Sequence, residues 1–361
     1  MRVLVATAGL LVLAGSAVAG RPTAHSLRKS AAGPIVAVAA NNGVAAWLTY
    51  TSGTGPCNLV HILSPGKHDH SLPQPSSPSM TCHWVLTDGQ PQLAVAARMS
   101  TALWTLHESG PAPVDYVVAA SIGGPERRIE QLHHASDGTG DWLEGVAGAG
   151  RTLAYSWLDI EYVNPSGCLS GGSCRQKIAD GGIRIVTRTT DTSLPGAAPA
   201  LQLATAAGRI AYVPATAVRG GHPGTSTSNV LQIVDATSGD PVGQAAVHGF
   251  PIAIALSAHV LAVLTTQGTA HDRISWFSAT DGTKLGSVVI SGLAAPQLAA
   301  SDRLIVYRYG LVLRGVSTRT GRIRKLVKTG QNYVGLSLAH GRLLWAENHN
   351  RTGRLRALSV G

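Results

Sequence analysis

Aromatic and charged side chains are scarce in this sequence, and long apolar runs are almost absent. Aromatic residues account for 5% and charged residues for 13% of the 361 positions, with only two phenylalanines and three methionines. Beyond the N-terminus, no stretch approaches the roughly 18 consecutive apolar residues that a transmembrane helix requires. We therefore expect no transmembrane segment. The 42 glycines and the many alanines instead favour closely packed strands of small residues joined by many turns.

The first 19 residues have the layout of a secretory signal peptide. One basic residue, Arg2, precedes the apolar run 3–13, and Ala17 and Ala19 form an A-x-A cleavage site. We place the cleavage after Ala19, and no cysteine follows that would carry a lipid anchor. A buried N-terminal strand is the alternative interpretation of these residues. The prediction is a secreted, extracytoplasmic protein.

Four cysteines in an exported chain favour two disulfides over free thiols. They are Cys57, Cys82, Cys168 and Cys174. Three connectivities are possible, and proximity in the sequence favours Cys57–Cys82 together with Cys168–Cys174. Neither pair has the CxxC spacing of a redox motif or a zinc site. His68 and His70, two residues apart, are the best candidate metal ligands, but most such pairs are solvated loop residues, and we expect no metal.

A two-strand unit recurs along the chain: a strand of small residues, a tight turn, and a second, more apolar strand. The first apolar residue of the second strand lies at positions 44, 103, 153, 210, 260, 304 and 343, so the units begin 39 to 59 residues apart. Strand repeats of about 40–50 residues are typical of propeller blades. The fold predicted is all-β, a single seven-bladed β-propeller with four-stranded blades. Six or eight blades are the alternatives.

The turns of these units favour hairpins, and the later units also show the outer half of a blade. Turns at 42–43, 208–209 and 340–341 contain the residues that adopt positive φ. Residues 231–240, 274–283 and 312–321 share an A-x-D-x-x-T-G-like turn. This pattern resembles the repeat of quinoprotein-type (PQQ-like) propellers, within the wider WD40-like β-propeller superfamily, over three of the seven units. Those repeats usually carry a tryptophan after the glycine, where Val242, Leu285 and Ile323 stand here. The resemblance implies the architecture, and we expect no quinone and no other cofactor.

The two ends of the chain complement each other. The last unit stops after its third strand, while residues 20–33 precede the first unit with nothing to pair with. We predict that residues 20–33 supply the outer strand of the last blade and close the ring, which satisfies the hydrogen-bonding groups at the gap. The domains are then a signal peptide at 1–19 and one propeller domain at 20–361, with seven blades in 34–361.

The blade count places other segments. Cys57 falls on the third strand of blade 1 and Cys82 on its fourth, so their disulfide would clasp an insertion. Cys168 and Cys174 fall in the connection between the second and third strands of blade 3. Residues 137–144 are interpreted as a turn between blades 2 and 3.

The face that carries the connections between second and third strands is the first candidate binding site. Two of these connections are predicted to be long, 159–180 in blade 3 and 214–229 in blade 4, and binding residues collect on loops held by a rigid scaffold. Long surface loops without function are the alternative. The candidate ligand-binding residues are Asp159, Glu161, Tyr162, Arg175, Arg219, His222, His271, Asp272, Arg308, Glu347 and His349.

Basic residues are concentrated at the C-terminal end of the chain. Residues 301–361 contain twelve arginines and lysines against Asp302 and Glu347, which equals the net charge of +10 of the whole chain. Such a sector attracts anionic polymers, but charge on an outermost strand also prevents edge-to-edge pairing. Four arginines and one histidine recur at the same position in the first hairpin turns: Arg151, Arg209, Arg303, Arg342 and His259. They are predicted to line one rim of the channel, where they could bind an anion. The alternative is that the pattern reflects only the common origin of the repeats.

These features favour a secreted, non-catalytic binding or scaffold propeller. Its expected partner is a protein or an anionic glycan or cell-wall polymer, with no nucleic acid, and we expect a monomer. The alternative is a carbohydrate- or peptide-processing hydrolase or lyase with its site at the channel mouth. The sequence contains no G-x-S-x-G, no H-E-x-x-H and no phosphate-binding glycine loop. Propeller enzymes can assemble sites from several blades, so these absences argue only weakly against catalysis.

Overall fold

The computed structural model describes residues 24–30, 33–50, 58–64, 69–72, 92–108, 113–135, 138–163, 176–219, 222–227, 229–266, 271–291, 296–330, 332–350 and 352–360. These residues form seven antiparallel sheets arranged as the blades of a propeller, each with a four-stranded path. The prediction of an all-β, seven-bladed propeller with four-stranded blades is confirmed. Within the described ranges, one 3₁₀ turn at Ala97–Met99 is the sole helical element. No helix in these ranges is long and apolar enough to cross a membrane.

The strands of each blade run from an inner strand beside the central channel to an outer strand. Blade 1 contains Ile35–Asn41, Val44–Tyr50, Asn58–Leu63 and Asp69–Ser71, and blade 2 contains Leu93–Ala96, Thr101–Glu108, Val114–Ser121 and Glu126–His133. Blade 3 contains Gly140–Ala149, Thr152–Tyr162, Gln176–Val186 and Asp191–Ser193. Blade 4 contains Ala200–Ala206, Arg209–Arg219, Val230–Asp235 and Pro241–Ala246, with His222–Thr227 added beside its second strand. Blade 5 contains Phe250–Leu256, Val260–Thr266, His271–Ser278 and Lys284–Ser291, and blade 6 contains Leu298–Ala300, Leu304–Tyr309, Val312–Ser317 and Ile323–Lys328. Blade 7 contains Tyr333–Ala339, Arg342–His349, Thr352–Ser359 and, as its outer strand, His25–Ser30.

The hydrophobic core lies between the blades and not at the centre of the ring. Seven clusters of buried residues each join the facing surfaces of two neighbouring blades. Because side chains alternate between the two faces of a strand, a strand covered on both faces must be apolar throughout. Val260–Thr266, for example, is buried at six consecutive positions. This double burial explains why the second strand of every unit is a continuous apolar run.

The hairpin turns that join inner and second strands use left-handed backbone. In blades 1 and 7 the positive-φ pairs are Asn42-Gly43 and His340-Gly341, as the sequence predicts. In blade 4 the pair is Ala207-Gly208, one residue earlier than predicted. Arg209 instead begins the second strand and pairs with Ala206. The shift follows from the apolar register, which keeps Ile210 buried opposite Thr205.

The outer-half turns have glycine because the turn of one blade presses against the preceding blade. Gly282 in blade 5 has φ +78°, and a Cβ there would lie 2.0 Å from the carbonyl oxygen of Gln244 in blade 4. Gly239 is similarly close to Pro195. The aspartate of the first of these turns, Asp235, accepts hydrogen bonds from the N–H groups of Thr237 and Ser238, which lower its pKa. The A-x-D-x-x-T-G-like pattern therefore describes a turn that must be both tight and flat against its neighbour.

The N-terminal segment lies against the last blade. His25–Ser30 pairs antiparallel with Thr352–Ser359, from His25 opposite Ala357 to Ser30 opposite Gly353. Leu27 packs against the cluster between blades 7 and 1, and Ala24 packs against the cluster between blades 6 and 7. That this pairing holds the ring closed stays a prediction.

Several segment boundaries predicted from the sequence are wrong. The predicted connections 159–180 in blade 3 and 214–229 in blade 4 are partly strand. They overlap the ends of three strands: Thr152–Tyr162, Gln176–Val186 and Arg209–Arg219. The inner strand of blade 3 begins at Gly140, so most of 137–144 is strand and not turn. The sequence did not indicate these strand ends because their residues are largely polar. Backbone pairing with the neighbouring strands holds them in the sheet.

The outer strand of blade 1 also lies earlier than predicted. The fourth strand of this blade in the described residues is Asp69–Ser71, paired with His61–Leu63, whereas the sequence predicted the fourth strand at Cys82. All three of its residues are exposed, so no apolar alternation marked it. His70 is in this strand, while His61 is stacked on Trp47 with ring centroids 5.0 Å apart. All four cysteines lie outside the described residues, as does His68, and the disulfides stay predictions.

We expect Gly282→Ala to destabilise the protein more than Gly310→Ala. Both glycines have positive φ, which costs an alanine about 1–2 kcal/mol, but nothing lies within 4 Å of a Cβ on Gly310. At Gly282 the backbone of Gln244 must also move. Urea unfolding of the two variants measures this difference. Equal losses would contradict the packing role of the turn.

We expect a chain that starts at residue 31 to unfold at lower urea concentration than one that starts at residue 20. Removing the outer strand exposes the hydrogen-bonding edge of Thr352–Ser359 and uncovers part of two hydrophobic clusters. A synthetic peptide of residues 20–30 should restore part of the loss when added in excess. If the two chains unfold at the same concentration, the N-terminal strand does not hold the ring closed.

Candidate functional site

The seven inner strands surround a central channel with two cavities. A cavity of about 540 Å³ lies towards the face that carries the connections between second and third strands, and we name it the loop-side cavity. A second, of about 880 Å³, lies among the hairpin turns that join inner and second strands, and we name it the turn-side cavity. The two cavities share one apolar residue from each blade, here named the apolar ring: Val38, Leu93, Val146, Leu203, Ile254, Leu298 and Leu336.

A second layer of side chains enters the loop-side cavity through a repeated β-bulge. The pairing of inner and second strands skips one residue in each of four blades, two positions before the apolar ring. A bulge of this kind re-aims the extra side chain. The skipped residues are Val36 in blade 1, Glu144 in blade 3, Leu201 in blade 4 and Ile252 in blade 5, and all four line the cavity. Glu144 is the one ionisable side chain among the described residues that line it.

Burial changes the protonation of Glu144. The carboxyl keeps part of its surface open to the cavity, but protein surrounds it on most sides. Loss of hydration raises its pKa to about 8, and the negative charge of Asp115 acts in the same direction. At neutral pH the carboxyl is therefore mostly protonated.

Asp115 belongs to a buried group behind Glu144, between blades 2 and 3. Its carboxylate lies 3.7 Å from Nε2 of His134 and accepts a long hydrogen bond from the N–H of Leu143. The His134 ring stacks on Trp142 at 3.9 Å, and the Trp142 indole donates to the carbonyl of Gly138. This group ties the start of the blade 3 inner strand to blade 2, which fixes the backbone that presents Glu144.

A row of carboxylates crosses blade 3 on the loop-bearing side. Asp141, Asp159 and Asp180 are directly opposite one another on three adjacent strands. Burial raises the pKa of both Asp141 and Asp159, and neighbouring acidic groups raise it further. Next to them, Glu161 forms an ion pair of 3.5 Å with Lys177, and both side chains are more than half exposed. The end of blade 3 therefore carries concentrated negative charge.

The predicted binding residues lie on the loop-bearing side in separate groups, and none of those described lines the loop-side cavity. Asp159, Glu161 and Tyr162 are together at the end of the second strand of blade 3. Arg219 and His222 are opposite each other in the backbone pairing of the blade 4 hairpin, and Arg175 lies outside the described residues. In blade 5, His271 is exposed and Asp272 is buried. These residues stay predictions as a binding site.

Two predicted residues from different blades come together at Tyr333. The Arg308 guanidinium of blade 6 lies over the Tyr333 ring of blade 7, 4.5 Å from its centroid. Glu347 is opposite Tyr333 in the sheet and accepts hydrogen bonds from the Trp345 indole, 2.9 Å, and the N–H of Gly330, 3.2 Å. His349 ends the same strand and is exposed. Arg308 and Glu347 thus contact the seam between blades 6 and 7.

The predicted arginine rim is only partly present. Of its five members, Arg151 alone lines the turn-side cavity, where it is joined by Arg98, which the repeat did not indicate. Arg209 donates to the carbonyl of Ala258 in the next blade at 3.1 Å, so it joins turns instead of facing the channel. Asp302 of blade 6 likewise accepts from Ser257 of blade 5, at 2.7 Å. Arg209 and Asp302 form hydrogen bonds between turns because neighbouring hairpins lie side by side at this rim.

The sequence interpretation missed Glu144, Asp115, Asp141 and Asp180. A usable signal existed for Glu144, which occupies the position of Val36, Leu201 and Ile252 when the units are aligned on the apolar ring. The carboxylate row had no such signal because it depends on the register of three strands.

No family model matches this sequence, and a search of curated proteins finds no match. Among solved structures, the β-propeller domain of Cps50 (Swd1) from Myceliophteria thermophila has a TM-score of 0.52 at 10% identity, covering 94% of this chain and 100% of that one. A chain of a mitotic checkpoint complex has a TM-score of 0.51 at 14% identity, covering 92% and 94%. The WD40 domain of Toxoplasma gondii coronin has a TM-score of 0.49 at 10% identity, covering 94% and 87%. Identities this low show the fold alone. The match to the Cps50 domain confirms the β-propeller architecture, while the quinoprotein-type resemblance stays a prediction.

We expect Glu144→Gln to remove a pH-dependent loss of stability. The carboxyl's pKa is about 8 in the folded protein against 4.5 ordinarily, so the folded state binds the proton more tightly. The free energy of unfolding therefore falls as pH rises from 4.5 to 8, by about 5 kcal/mol at most. Relative to the wild type, Glu144→Gln should become steadily more stable from pH 5 to pH 8 in urea unfolding. Glu161→Gln, at an exposed ion pair, is the control. A pH-independent difference for Glu144→Gln would refute the burial of this carboxyl.

Proposed function

We propose that this protein is a secreted, non-catalytic binding or scaffold propeller held at an anionic envelope polymer through blades 6 and 7. Its loop-bearing face is then left to contact a protein or glycan partner. The seven-bladed fold is compatible with such a role. The observation that carries the proposal is the distribution of charge around the ring.

Exposed cations are concentrated on blades 6 and 7. Eight of them are exposed, and we name them the basic sector: Arg303, Arg319, Arg322, Arg324, Lys325, Lys328, Arg342 and Arg354. The two acidic residues of 301–361 already have partners. Asp302 accepts from Ser257 and from the N–H of His259, and Glu347 lies 3.5 Å from Arg356. The sector's charge is therefore not neutralised within its own blades, and it favours an anionic polymer.

Acidic residues are concentrated elsewhere in the ring. Residues 115–191, in blades 2 and 3, contain ten of the chain's nineteen acidic residues. These blades are separated from blades 6 and 7 by blade 1 on one side and by blades 4 and 5 on the other. An anionic polymer would be attracted to one side of the ring and repelled by the other, so the bound molecule would have a preferred orientation.

Edge protection competes with this interpretation. Arg324, Lys325 and Lys328 lie on the outer strand Ile323–Lys328, where charge discourages pairing with a second sheet edge. Edge protection explains that strand, but not three other exposed arginines: Arg303 lies in a hairpin turn, Arg342 on the second strand of blade 7 and Arg354 on its third strand. The spread of the sector beyond one edge supports polymer binding.

The alternative function is a carbohydrate- or peptide-processing hydrolase or lyase at the channel mouth. Glu144, mostly protonated at neutral pH, would be its general acid. Asp115, the nearest acid that influences it, does not line the loop-side cavity and is held by His134 and Leu143. A lone cavity carboxyl is more consistent with binding than with the paired carboxylates of glycoside hydrolysis.

We expect the purified chain from residue 20 to bind alginate and polyphosphate, and not neutral dextran, with an affinity that falls steeply as salt rises from 50 to 300 mM. Lys325→Glu/Lys328→Glu should weaken binding by about tenfold or more, since each cation near an anionic surface contributes roughly 1 kcal/mol. Arg151→Glu/Lys284→Glu has the same change in net charge away from the sector and is the control.

Biolayer interferometry on immobilised polymers measures these affinities. If both double variants lose affinity equally, net charge and not the basic sector determines binding. If Lys325→Glu/Lys328→Glu binds normally but aggregates, the charges serve edge protection and the proposal fails.

A further inference from the structure

Glu144 is an acidic residue at a position where the fold does not require one. The equivalent bulged residues of three other blades are Val36, Leu201 and Ile252. Its carboxyl makes no hydrogen bond or ion pair with another described residue, whereas Glu130, Glu161 and Glu347 each have such a partner. A buried acid without a structural partner lowers stability. Its presence in the channel therefore suggests a ligand.

The free polar groups of the loop-side cavity are hydrogen-bond acceptors. Three glutamines precede leucines of the apolar ring in alternate blades, at positions 92, 202 and 297. Gln92 is fully used, because it donates to the Glu144 carbonyl at 3.1 Å and accepts from the Val146 N–H at 2.9 Å. Gln202 donates to the carbonyl of Pro251, but its Oε1, like that of Gln297, is buried without a hydrogen-bond partner. Both oxygens are enclosed by protein atoms, so we expect the polar contact of a ligand in this cavity at Glu144.

Apart from Glu144 and the three glutamines, the side chains that line the cavity are aliphatic or belong to proline, alanine and glycine. The apolar ring closes it on the turn side, and Val36, Leu201, Ile252, Pro296 and Val334 form its second layer. A volume of about 540 Å³ is within the range of small-molecule sites. A single carboxylate offers a metal ion too few ligands, whereas an apolar chamber with one acid suits an organic cation.

We propose that the loop-side cavity binds a small organic ammonium ion, with the ammonium group against the Glu144 carboxylate and an apolar body against the apolar ring. The ammonium group replaces the hydration that burial removes from the carboxylate, and the apolar body displaces water from seven aliphatic side chains. This site is separate from the basic sector and does not depend on polymer binding.

The proposal has a defined pH dependence. The charged group that acts on Glu144 is Asp115 of blade 2, which lies beside His134. The described residues that line the cavity from the inner strands of blades 4 and 5 include no ionisable side chain. An ammonium ion requires the ionised carboxyl, whose pKa in the empty cavity is about 8. Binding should therefore release a proton below pH 8 and tighten by close to tenfold per pH unit from pH 6 to 8. It should then level off until the amine loses its own proton, at about pH 10.

Isothermal titration calorimetry of the chain from residue 20 with n-hexylamine at pH 6, 7, 8 and 9 tests this dependence. The matched probes are n-hexanol and hexanoate, which keep the apolar body and change the head group. We expect hexylamine to bind at least tenfold more tightly than hexanol at pH 8 and hexanoate not to bind. In two buffers of different ionisation heat at pH 7, the heats should report proton release.

Two variants locate the site. Glu144→Gln should reduce hexylamine affinity at pH 8 to that of hexanol, while Glu161→Gln should bind as the wild type does. Val36→Trp, which fills the cavity without removing the acid, should abolish binding of both probes, with thermal unfolding as the check that each variant folds. Equal affinities for hexylamine and hexanol, unchanged binding by Glu144→Gln, or pH-independent affinity would each overturn the proposal. These outcomes leave polymer binding by the basic sector unaffected.

Discussion

The close approach of neighbouring blades is the constraint on which the rest of this structure depends. A Cβ on Gly148 would lie 2.9 Å from the backbone of Val95 in the adjacent blade, and one on Gly282 would lie 2.0 Å from Gln244. Where the backbones of two blades come this close, only glycine and other small residues fit, while the wider parts of the interfaces hold large side chains such as Trp104 and Trp345. The abundance of small residues in the inner strands is a consequence of that spacing. Each blade is stable only because its two neighbours cover it.

The same constraint decides where chemistry can occur. Side chains between blades are committed to packing, so free space is left along the axis, where seven inner strands meet without a partner on one side. The bulge two residues before the apolar ring gives each of four blades one additional side chain to place in that space. Three of these blades place an aliphatic residue there, and blade 3 places Glu144. The raised pKa in the channel thus comes from a single glutamate, Glu144, at a position that the propeller architecture determines.

The sequence predicted the architecture well because propeller units repeat. The same pattern of a small-residue strand, a turn and an apolar strand occurs seven times. A wrong strand boundary in one unit therefore does not change the predicted fold. Single-instance features were predicted poorly. The exposed strand Asp69–Ser71 has no apolar alternation, and the carboxylates Asp141, Asp159 and Asp180 become neighbours only through the pairing of three strands. Arg209 matches the repeat pattern, yet its guanidinium donates a hydrogen bond to the carbonyl of Ala258 in the next blade. This contact depends on how adjacent turns are placed in space, which no local sequence pattern shows.

Charge and burial separate two kinds of binding surface in this molecule. The basic sector consists of exposed side chains, so its attraction is long-ranged, screened by salt and tolerant of partner shape. Glu144 is enclosed by apolar walls, so its attraction is short-ranged, resistant to salt and sensitive to the size of the ligand. The two therefore do not compete for one ligand. A propeller held at an anionic polymer by its rim keeps its axial cavity accessible, because the loop-bearing end of the channel and the outer strands of blades 6 and 7 face different directions.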